Sequence, residues 1–158
     1  MSETQQFTLT LTQESDYVFR IAFDDTAMPD LIADESAPLG TERGPNPSRM
    51  LVAAVANCLS ASLLFALRKF KNAPGTLVTR AQATLGRNAA GRLRVQHIAV
   101  TLELPEALAD YQQSERLLAQ FEHFCVVTGS VRDGIPVEVS VRDRDGVLVH
   151  HSEEEASA

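Results

Sequence analysis

The chain has 158 residues, of which 44% are hydrophobic and 22% are charged, a composition typical of a folded globular domain and too apolar for disorder. Fourteen Lys and Arg residues against 21 Asp and Glu residues give a net charge of −7. This balance disfavours nucleic acid as a partner, because phosphate binding requires clustered cations. Aromatic residues make up only 6% and Trp is absent, so platforms for stacking bases are not expected either.

Two cysteines are too few for a disulfide-stabilised secreted scaffold. The first residues, from Met1 to Phe7, are polar and lack the apolar segment of a signal peptide. We therefore expect a cytoplasmic protein whose cysteines are thiols. The spacing of the Cys and His residues matches no zinc motif, although Cys58, Cys125, His123 and His97 are possible ligands by residue type. We expect neither a metal nor another cofactor.

The N-terminal part predicts a β-hairpin followed by a long acidic loop. Apolar and polar residues alternate from Gln6 to Gln13 and again from Tyr17 to Phe23, which is typical of half-buried strands joined by a short turn. From Asp24 to Asn46 the alternation ends, and acidic residues are interleaved with Pro and Gly. A loop of about 20 residues is long for a compact domain and usually has a functional reason.

The segment from Pro47 to Phe70 predicts a long helix, with Asn46 as its N-terminal cap. Between Met50 and Leu67 it is apolar nearly all round, so it must be buried on all sides. Its length also allows a membrane span, which we reject because the run is largely alanine, carries Asn57 centrally and lies between strands of soluble type. At about 36 Å, such a helix is hard for one small domain to cover, which indicates a homodimer.

The rest of the chain predicts strands, helices and a tail in this order. Thr76–Arg87 and Arg92–Leu104 form a hairpin, Glu106–Phe121 a helix, 126–134 a turn or short helix, 135–141 a strand and 147–149 a short return strand. We expect one α+β domain over residues 1–151, with antiparallel hairpins packed on the central helix. Residues 152–158 are expected to be a solvated acidic tail.

The two cysteines are the candidates for chemistry. Cys58 lies in the middle of the long helix with small neighbours three and four positions away, namely Ala54, Val55, Ala61 and Ser62. Cys125 lies in the loop after the predicted helix, two positions beyond His123. One cysteine in the core and one in a loop suit a nucleophile with a resolving partner. Both can equally be inert, since free Cys often serves as a small buried hydrophobe, and His123 can be an ordinary surface residue.

Two blocks of the sequence resemble the OsmC/Ohr family of osmotically inducible and organic hydroperoxide resistance proteins. The block Gly44-Pro45-Asn46-Pro47 through Cys58 resembles the family's Gly-Pro-x-Pro helix with its cysteine. The block from Cys125 to Val137 resembles the block of the second cysteine, with Val126 in place of the frequent Pro. Together the two blocks are specific for the family, and the resemblance covers roughly residues 7–149. Val126, Ser48 and the lack of an Arg in the first hairpin turn make the chain look closer to the broad OsmC-like branch than to the dedicated peroxidases.

The resemblance implies an OsmC-like fold, which is an intertwined α+β homodimer with antiparallel sheets around the long central helix and active sites at the subunit interface. It also implies thiol-dependent reduction of small organic hydroperoxides in oxidative-stress defence. Cys58 would then be the peroxidatic thiolate and Cys125 the resolving cysteine, with a dithiol as reductant. No membrane and no nucleic acid would be involved.

Two departures from the peroxidase members concern the activation of Cys58. Ser48 stands where those members place a Glu, and the first hairpin turn holds no Arg. A thiolate needs a nearby cation, and the candidates are Arg43, Arg49 and Arg20. We expect Arg43 to serve this role with Glu42 as its orienting partner, and Ser48, Arg49 and Glu42 to lie at the substrate. Peroxide turnover should be slower than in dedicated members.

Two further hypotheses remain open. The same dimer could be a non-catalytic module that binds a small apolar ligand in the interface cavity, or a structural protein with inert cysteines. Thiol counting after exposure to one equivalent of cumene hydroperoxide separates the enzyme from both.

Overall fold

The computed structural model describes residues 4–154. The chain forms two compact units, one up to Leu51 and one from Val52 onward, and each is described by itself. The architecture is α+β, as predicted, with one three-stranded and one four-stranded sheet. The last residues of the predicted tail, 155–158, lie outside the described residues.

The first unit contains the predicted hairpin and one strand that the sequence pattern missed. Strands β1 (Leu9–Ser15), β2 (Val18–Phe23) and β3 (Leu31–Ala33) lie side by side in that order, both pairs antiparallel. The hairpin turns at Asp16, whose φ is +42°. Strand β3 has only three residues within the acidic loop, too few for an alternating pattern to be recognised.

The burial of strand β1 differs from the prediction. Its alternation predicts a half-buried strand, yet all seven residues are exposed in the single chain. Leu11 is 56% exposed and the preceding Phe7 is 88% exposed. The apolar residues of β1 therefore lie on the surface of the single chain.

The loop after β3 is folded around a buried carboxylate. Asp34 accepts hydrogen bonds from the Thr41 hydroxyl at 2.7 Å and from the backbone N–H groups of Glu35, Thr41 and Arg43. Led by the Thr41 hydroxyl, these donors lower the pKa of Asp34 to about 2 although burial opposes them. A Cβ on Gly44 would stand 1.9 Å from the Ile32 carbonyl oxygen, so only glycine allows the loop to approach β3 this closely. The loop is therefore ordered despite its composition.

The predicted long helix is α1, Pro47–Lys69. Its N-terminus is capped as expected, because the Asn46 side-chain oxygen accepts the Arg49 N–H at 3.0 Å. The helix is long and apolar enough to cross a membrane, but only a third of its most apolar window is buried in the chain itself. Its buried residues are those of one side: Val55, Leu59, Ser62, Leu63, Ala66 and Leu67. The single chain therefore covers one side of a helix that its composition predicts to be buried all round.

The second unit is built on a four-stranded sheet in the order β4 (Val78–Arg87), β5 (Leu93–Glu103), β6 (Val137–Arg142) and β7 (Leu148–Glu154). The β4–β5 hairpin is confirmed. Strands β5 and β6 are parallel rather than antiparallel, because the helical segment between them carries the chain back across the sheet. Alternate residues of β5 and β6 pack with the buried side of α1 in one core.

A bulge explains an irregularity in the apolar pattern of β5. Val95 and Ile98 are three positions apart and would face opposite sides of a regular strand. Thr84 pairs with His97 and Leu85 with Val95, so β5 carries one extra residue there. Both apolar side chains consequently pack on the core.

The predicted helix from Glu106 to Phe121 is instead a series of short segments. A 3₁₀ turn at Leu108–Asp110 is followed by helix α2 (Ser114–Gln120), a second 3₁₀ turn at Phe121–Phe124 and helix α3 (Val126–Val131). Gln113 has a φ of +51°, which interrupts the helix ahead of α2. The predicted apolar face survives in part, since Tyr111, Leu117, Leu118 and Phe121 are buried.

The C-terminal strand is longer than predicted. Strand β7 runs to Glu154 and pairs with β6 along its length, so residues 152–154 belong to the sheet and not to the acidic tail. The return strand was underestimated because His150, His151 and Ser152 carry no apolar alternation. The side chains of His150 and Ser152 both hydrogen-bond to the Glu122 carboxylate.

Candidate functional site

Cys58 lies on α1 beside an apolar groove of about 370 Å³. The groove is lined by Cys58, Ala61, Ser62, Phe65 and Phe124. Cys58 is neither fully buried nor exposed. The small neighbours predicted at helical spacing do leave space at the sulfur, since Ala61 and Ser62 form part of the groove wall. The arrangement gives a small apolar molecule access to this thiol.

Two aromatic rings and a lysine frame this groove. The Phe65 and Phe124 rings meet edge to face, with centroids 5.0 Å apart. The Lys69 Nζ lies 4.9 Å from the centroid of the Phe124 ring. Phe124 immediately precedes Cys125 in sequence, so the groove wall and the second cysteine come from one turn of the chain.

Cys125 is the N-terminal cap of α3 and is 3% exposed. Its thiol donates to the Thr128 hydroxyl at 2.9 Å, and its sulfur accepts the Thr128 N–H at 3.4 Å. The capping interaction orders the backbone between Phe124 and α3. It therefore fixes the position of the sulfur.

The fold brings the two cysteines together although they are 67 positions apart (125 − 58). Cys58 packs against the core cluster that contains Cys125. Burial raises the pKa of the Cys125 thiol, the nearby Cys58 thiol raises it further, and the hydrogen bonds of Thr128 oppose both effects. Cys125 is therefore held as a neutral thiol close to Cys58. Such a pair can form a disulfide once one sulfur is oxidised.

A second cavity of about 450 Å³ reaches Cys125 and is polar. It is lined by Leu118, Ala119, Glu122, His123, Cys125, Gly129, Arg132, Asp133, His150 and Ser152. Cys58 is not part of this lining, and Cys125 is not part of the lining of the apolar groove. His123, for which the sequence left a surface role open, lines this cavity.

Four polar residues that the sequence analysis missed form a network in the wall of this cavity. The Glu122 carboxylate accepts hydrogen bonds from His150 Nε2–H, from Ser152 Oγ–H at 2.7 Å and from the Arg132 guanidinium. Burial alone would raise the pKa of Glu122, but these donors lower it to about 2. The period-2 spacing of His150 and Ser152, which places both on one face of a strand, was the available signal.

The other residues predicted for the site lie in the first unit. The Arg43 guanidinium pairs with the Glu14 carboxylate of the first hairpin, at 3.8 Å. Among the described residues, it forms no ion pair with Glu42. Glu42 has a φ of +59°, and its N–H donates to the Glu35 carbonyl oxygen. Arg49 donates to the Ser36 hydroxyl at 2.7 Å.

Glu42 and Arg49 do share a shallow pocket with Gly44 and Pro45, and Ser48 lies in the first turn of α1. The predicted pairing of Arg43 with Glu42 is therefore corrected. Glu42 lies between Thr41 and Arg43, whose N–H groups both donate to Asp34, while the Arg43 guanidinium pairs with Glu14.

Among residues 4–154, no group of three or more His, Cys, Asp or Glu residues is placed to hold a metal ion. Of the possible ligands considered, His97 lies 3.7 Å from Glu138 on the outer part of the sheet. Cys58 and Cys125 lie close enough for the Cys58 thiol to raise the pKa of Cys125.

The sequence profile of OsmC-like proteins matches residues 40–140 of the chain, a segment that includes both cysteines and most of the residues around them. The chain belongs to the OsmC-like protein family. No curated protein matches it in sequence.

Solved structures share the fold at low sequence identity. An OsmC-like protein of unknown function from Vibrio cholerae superimposes with a TM-score of 0.73 at 18% identity, covering 87% of this chain and 99% of its own. An organic hydroperoxide resistance protein from Elizabethkingia anophelis gives 0.70 at 16% identity, covering 90% and 99%. The organic hydroperoxide resistance protein OhrB of Bacillus subtilis gives 0.63 at 17% identity, covering 86% and 98%. The OsmC-like fold predicted from the two cysteine blocks is confirmed.

The buried network around Glu122 predicts a measurable loss of stability. The Glu122→Gln variant lacks the carboxylate charge that faces Arg132 and His150. Its free energy of unfolding should be about 2 kcal/mol lower than that of the wild type. The matched control is Glu138→Gln, whose carboxylate faces His97 and His151 at 3.7 and 3.9 Å and is 35% exposed. That change should stay within about 0.5 kcal/mol. Urea unfolding of both variants at pH 7 measures the difference.

The same comparison has a defined pH dependence. The pKa of Glu122 is about 2 in the fold against an ordinary 4.5, so its stabilisation is fully present above pH 4.5 and is lost as the pH falls toward 2. The gap between wild type and Glu122→Gln should therefore narrow below pH 4.5. A gap that is constant from pH 7 to pH 3 would contradict this role of the carboxylate.

Proposed function

We propose that this protein reduces small organic hydroperoxides with Cys58 as the peroxidatic and Cys125 as the resolving cysteine, in defence against oxidative stress. The observation that supports it is the proximity of the two cysteines in one core cluster, with Cys58 beside an apolar groove. The Cys58 thiolate attacks the O–O bond, forming a sulfenic acid and releasing an alcohol. The Cys125 thiol then condenses with the sulfenic acid, releasing water and forming a disulfide. A dithiol returns both cysteines to thiols and becomes a disulfide itself.

The groove favours an apolar peroxide over hydrogen peroxide. Its walls are Ala61, Phe65 and Phe124 together with the Cys58 and Ser62 side chains. An alkyl or aryl group buried there gains roughly 25 cal/mol for each Å² of apolar surface removed from water. Hydrogen peroxide has no such group, so organic hydroperoxides are the proposed substrates. The cytoplasm, where dithiol reductants are plentiful, is the proposed location.

An ion pair in the first unit supports Arg43 as the cation that activates Cys58. The peroxidase members that the sequence resembles place the Arg in the first hairpin and the Glu at the start of the helix. Here the hairpin supplies the acid, Glu14, and the loop before α1 supplies the base, Arg43. In this proposal the Arg43–Glu14 pair takes the place of the family's Arg and Glu, with the two ends exchanged. Ser48, Glu42 and Arg49 remain proposed substrate contacts at the start of α1.

The alternative function, non-catalytic binding of an apolar ligand, is supported by a different cavity. The first unit contains an apolar cavity of about 240 Å³, whose lining includes Leu11, Phe19 and Met50. Neither cysteine lines it. A protein that used only this cavity would leave its thiols unchanged by hydroperoxides.

Thiol counting separates these functions. After one equivalent of cumene hydroperoxide, the wild type should lose two thiols per chain and form an intramolecular disulfide, measured by alkylation and intact mass. Cys58→Ser should lose none, because Cys125 is held as a buried thiol by Thr128. Cys125→Ser should lose one, as a sulfenic acid that dimedone traps. Two free thiols after exposure of the wild type would favour the binding function.

The role of Arg43 predicts a shift in the pH dependence of alkylation. In a Cys125→Ser background, Arg43→Ala should move the midpoint of Cys58 alkylation upward by about one pH unit, because a nearby cation stabilises a thiolate. Arg20→Ala is the matched control, since Arg20 pairs with the same Glu14 from β2. An equal shift in both variants, or none in Arg43→Ala, would show that another group activates Cys58.

An obligate homodimer is part of this proposal. Exposed residues on α1 form a stripe at helical spacing that consists of Ala54, Asn57, Ala61 and Phe65, and the strand β1 is exposed as well. A second copy would cover such surfaces. Sedimentation at low micromolar concentration should show a dimer, and Ala54→Arg should weaken it or unfold the protein. Ala90→Arg in the β4–β5 loop should leave the dimer intact. A folded wild-type monomer would refute this assembly.

A further inference from the structure

We propose that the polar cavity at Cys125 is the entry site for the reductant, a small polar dithiol, and that it is separate from the groove through which the hydroperoxide reaches Cys58. This inference rests on the proposed function, because it concerns the disulfide that the peroxide reaction forms. It assigns different faces of the fold to the two halves of the catalytic cycle.

The two cavities are lined by different cysteines. The apolar groove is lined by Cys58 and not by Cys125, and the polar cavity by Cys125 and not by Cys58. In a Cys58–Cys125 disulfide, a reductant in the polar cavity would meet the residue Cys125 and not Cys58. A thiolate displaces one sulfur by attacking the other from the side opposite the bond that breaks. Attack on Cys125 therefore releases Cys58.

The dithiol reduces the Cys58–Cys125 disulfide in two exchange steps. One thiolate of the dithiol attacks Cys125 Sγ, the Sγ–Sγ bond breaks, and Cys58 departs as a thiolate. The second sulfur of the dithiol then attacks the mixed disulfide, releasing Cys125, which takes up a proton. The dithiol loses two electrons and closes as a cyclic disulfide, and the two cysteines gain those electrons. Cys58 is left as the thiolate that the next hydroperoxide requires.

The wall of the polar cavity carries several charged and hydroxyl side chains. Glu122, Arg132, Asp133, His150 and Ser152 present charged and hydroxyl groups around the cavity. The Glu122 network joins the 3₁₀ turn at Phe121–Phe124, helix α3 and strand β7, so this wall is already organised without a ligand. A volume of about 450 Å³ accepts a dithiol of a few carbons. Hydroxyl groups on that dithiol would find more hydrogen-bond partners there than in the apolar groove, whose lining has Ser62 as its one hydroxyl residue.

Gly129 provides a way to close this cavity without disturbing the cysteines. It lines the cavity and lies within α3, and a Cβ built on it meets no heavy atom within 4 Å. Gly129→Leu therefore places a side chain into open space and replaces a poor helix former. Gly134→Leu is the matched control, because Gly134 is outside the cavity lining and its added Cβ comes no closer than 4.0 Å to a neighbour.

The test measures the reductive half-reaction alone. The disulfide is formed with diamide, which takes two electrons and two protons from the thiols, and its reduction by dithiothreitol is followed by acid quench and alkylation. Gly129→Leu should slow this reduction about tenfold, since blocked access lowers thiol–disulfide exchange. Gly134→Leu should match the wild type. Oxidation by cumene hydroperoxide should proceed at the wild-type rate in both variants.

A second comparison tests the polarity of the reductant. Dithiothreitol and 1,4-butanedithiol have the same carbon chain and differ in two hydroxyl groups. With rates normalised to the reduction of a small soluble disulfide, dithiothreitol should be about tenfold faster on the wild type, and Gly129→Leu should remove this advantage.

Different results would contradict the peroxidase function and the entry site for the reductant. Normal reduction of the diamide-formed disulfide with no oxidation by cumene hydroperoxide would contradict the peroxidase function and leave the entry site supported. Unchanged reduction in Gly129→Leu would overturn the entry site, as would failure of diamide to form the intramolecular disulfide. If Gly129→Leu loses its native circular dichroism, the dithiol comparison on the wild type decides alone, and equal normalised rates would overturn the proposal.

Discussion

The packing of one side of α1 into the core of the second unit is the constraint on which the site depends. Leu59 and Leu63 are fully buried with alternate residues of β5 and β6, and this fixes the rotation of the helix about its axis. Cys58 lies next to Leu59 in sequence, so it is turned about 100° away from the deepest side. The sulfur therefore lies at the border between core and surface. At the position of Asn57, one residue earlier, it would be exposed, and at the position of Leu59, one residue later, it would be sealed in the core.

That border position also explains why Cys125 can meet Cys58. The chain after α2 passes through a 3₁₀ turn that buries Phe121 completely, and Cys125 follows four positions later as the cap of α3. Phe121 anchors this turn from the core side, while the Glu122 network ties it to α3 and β7. The second sulfur is thus held by both apolar packing and charged hydrogen bonds. The low pKa of Glu122, about 2, reflects the strength of the polar part of this anchoring.

Long, regular elements could be predicted from the sequence, and contacts between distant polar residues could not. Helix α1 and the β4–β5 hairpin have strong periodic patterns, and their predicted bounds agree with the structure within two residues. Strand β3 and the breaks around α2 depend on tertiary contacts and single backbone conformations, which leave no period in the sequence. Both cysteines were found by their motif contexts. The Glu122 network was not, because its members come from three elements up to 30 positions apart.

The error at Arg43 shows why a neighbour in sequence is a poor guide to an ionic partner. Glu42 and Arg43 are adjacent, but adjacent side chains in an extended or turning backbone point apart. The N–H of Arg43 is bound by Asp34, which sets the local backbone, and this leaves its guanidinium facing Glu14 of the hairpin. Glu14 also binds Arg20 on β2, so its charge is shared between two arginines. The Asp34-centred loop and strand β1 together position the Arg43 guanidinium, although its sequence neighbour Glu42 does not pair with it.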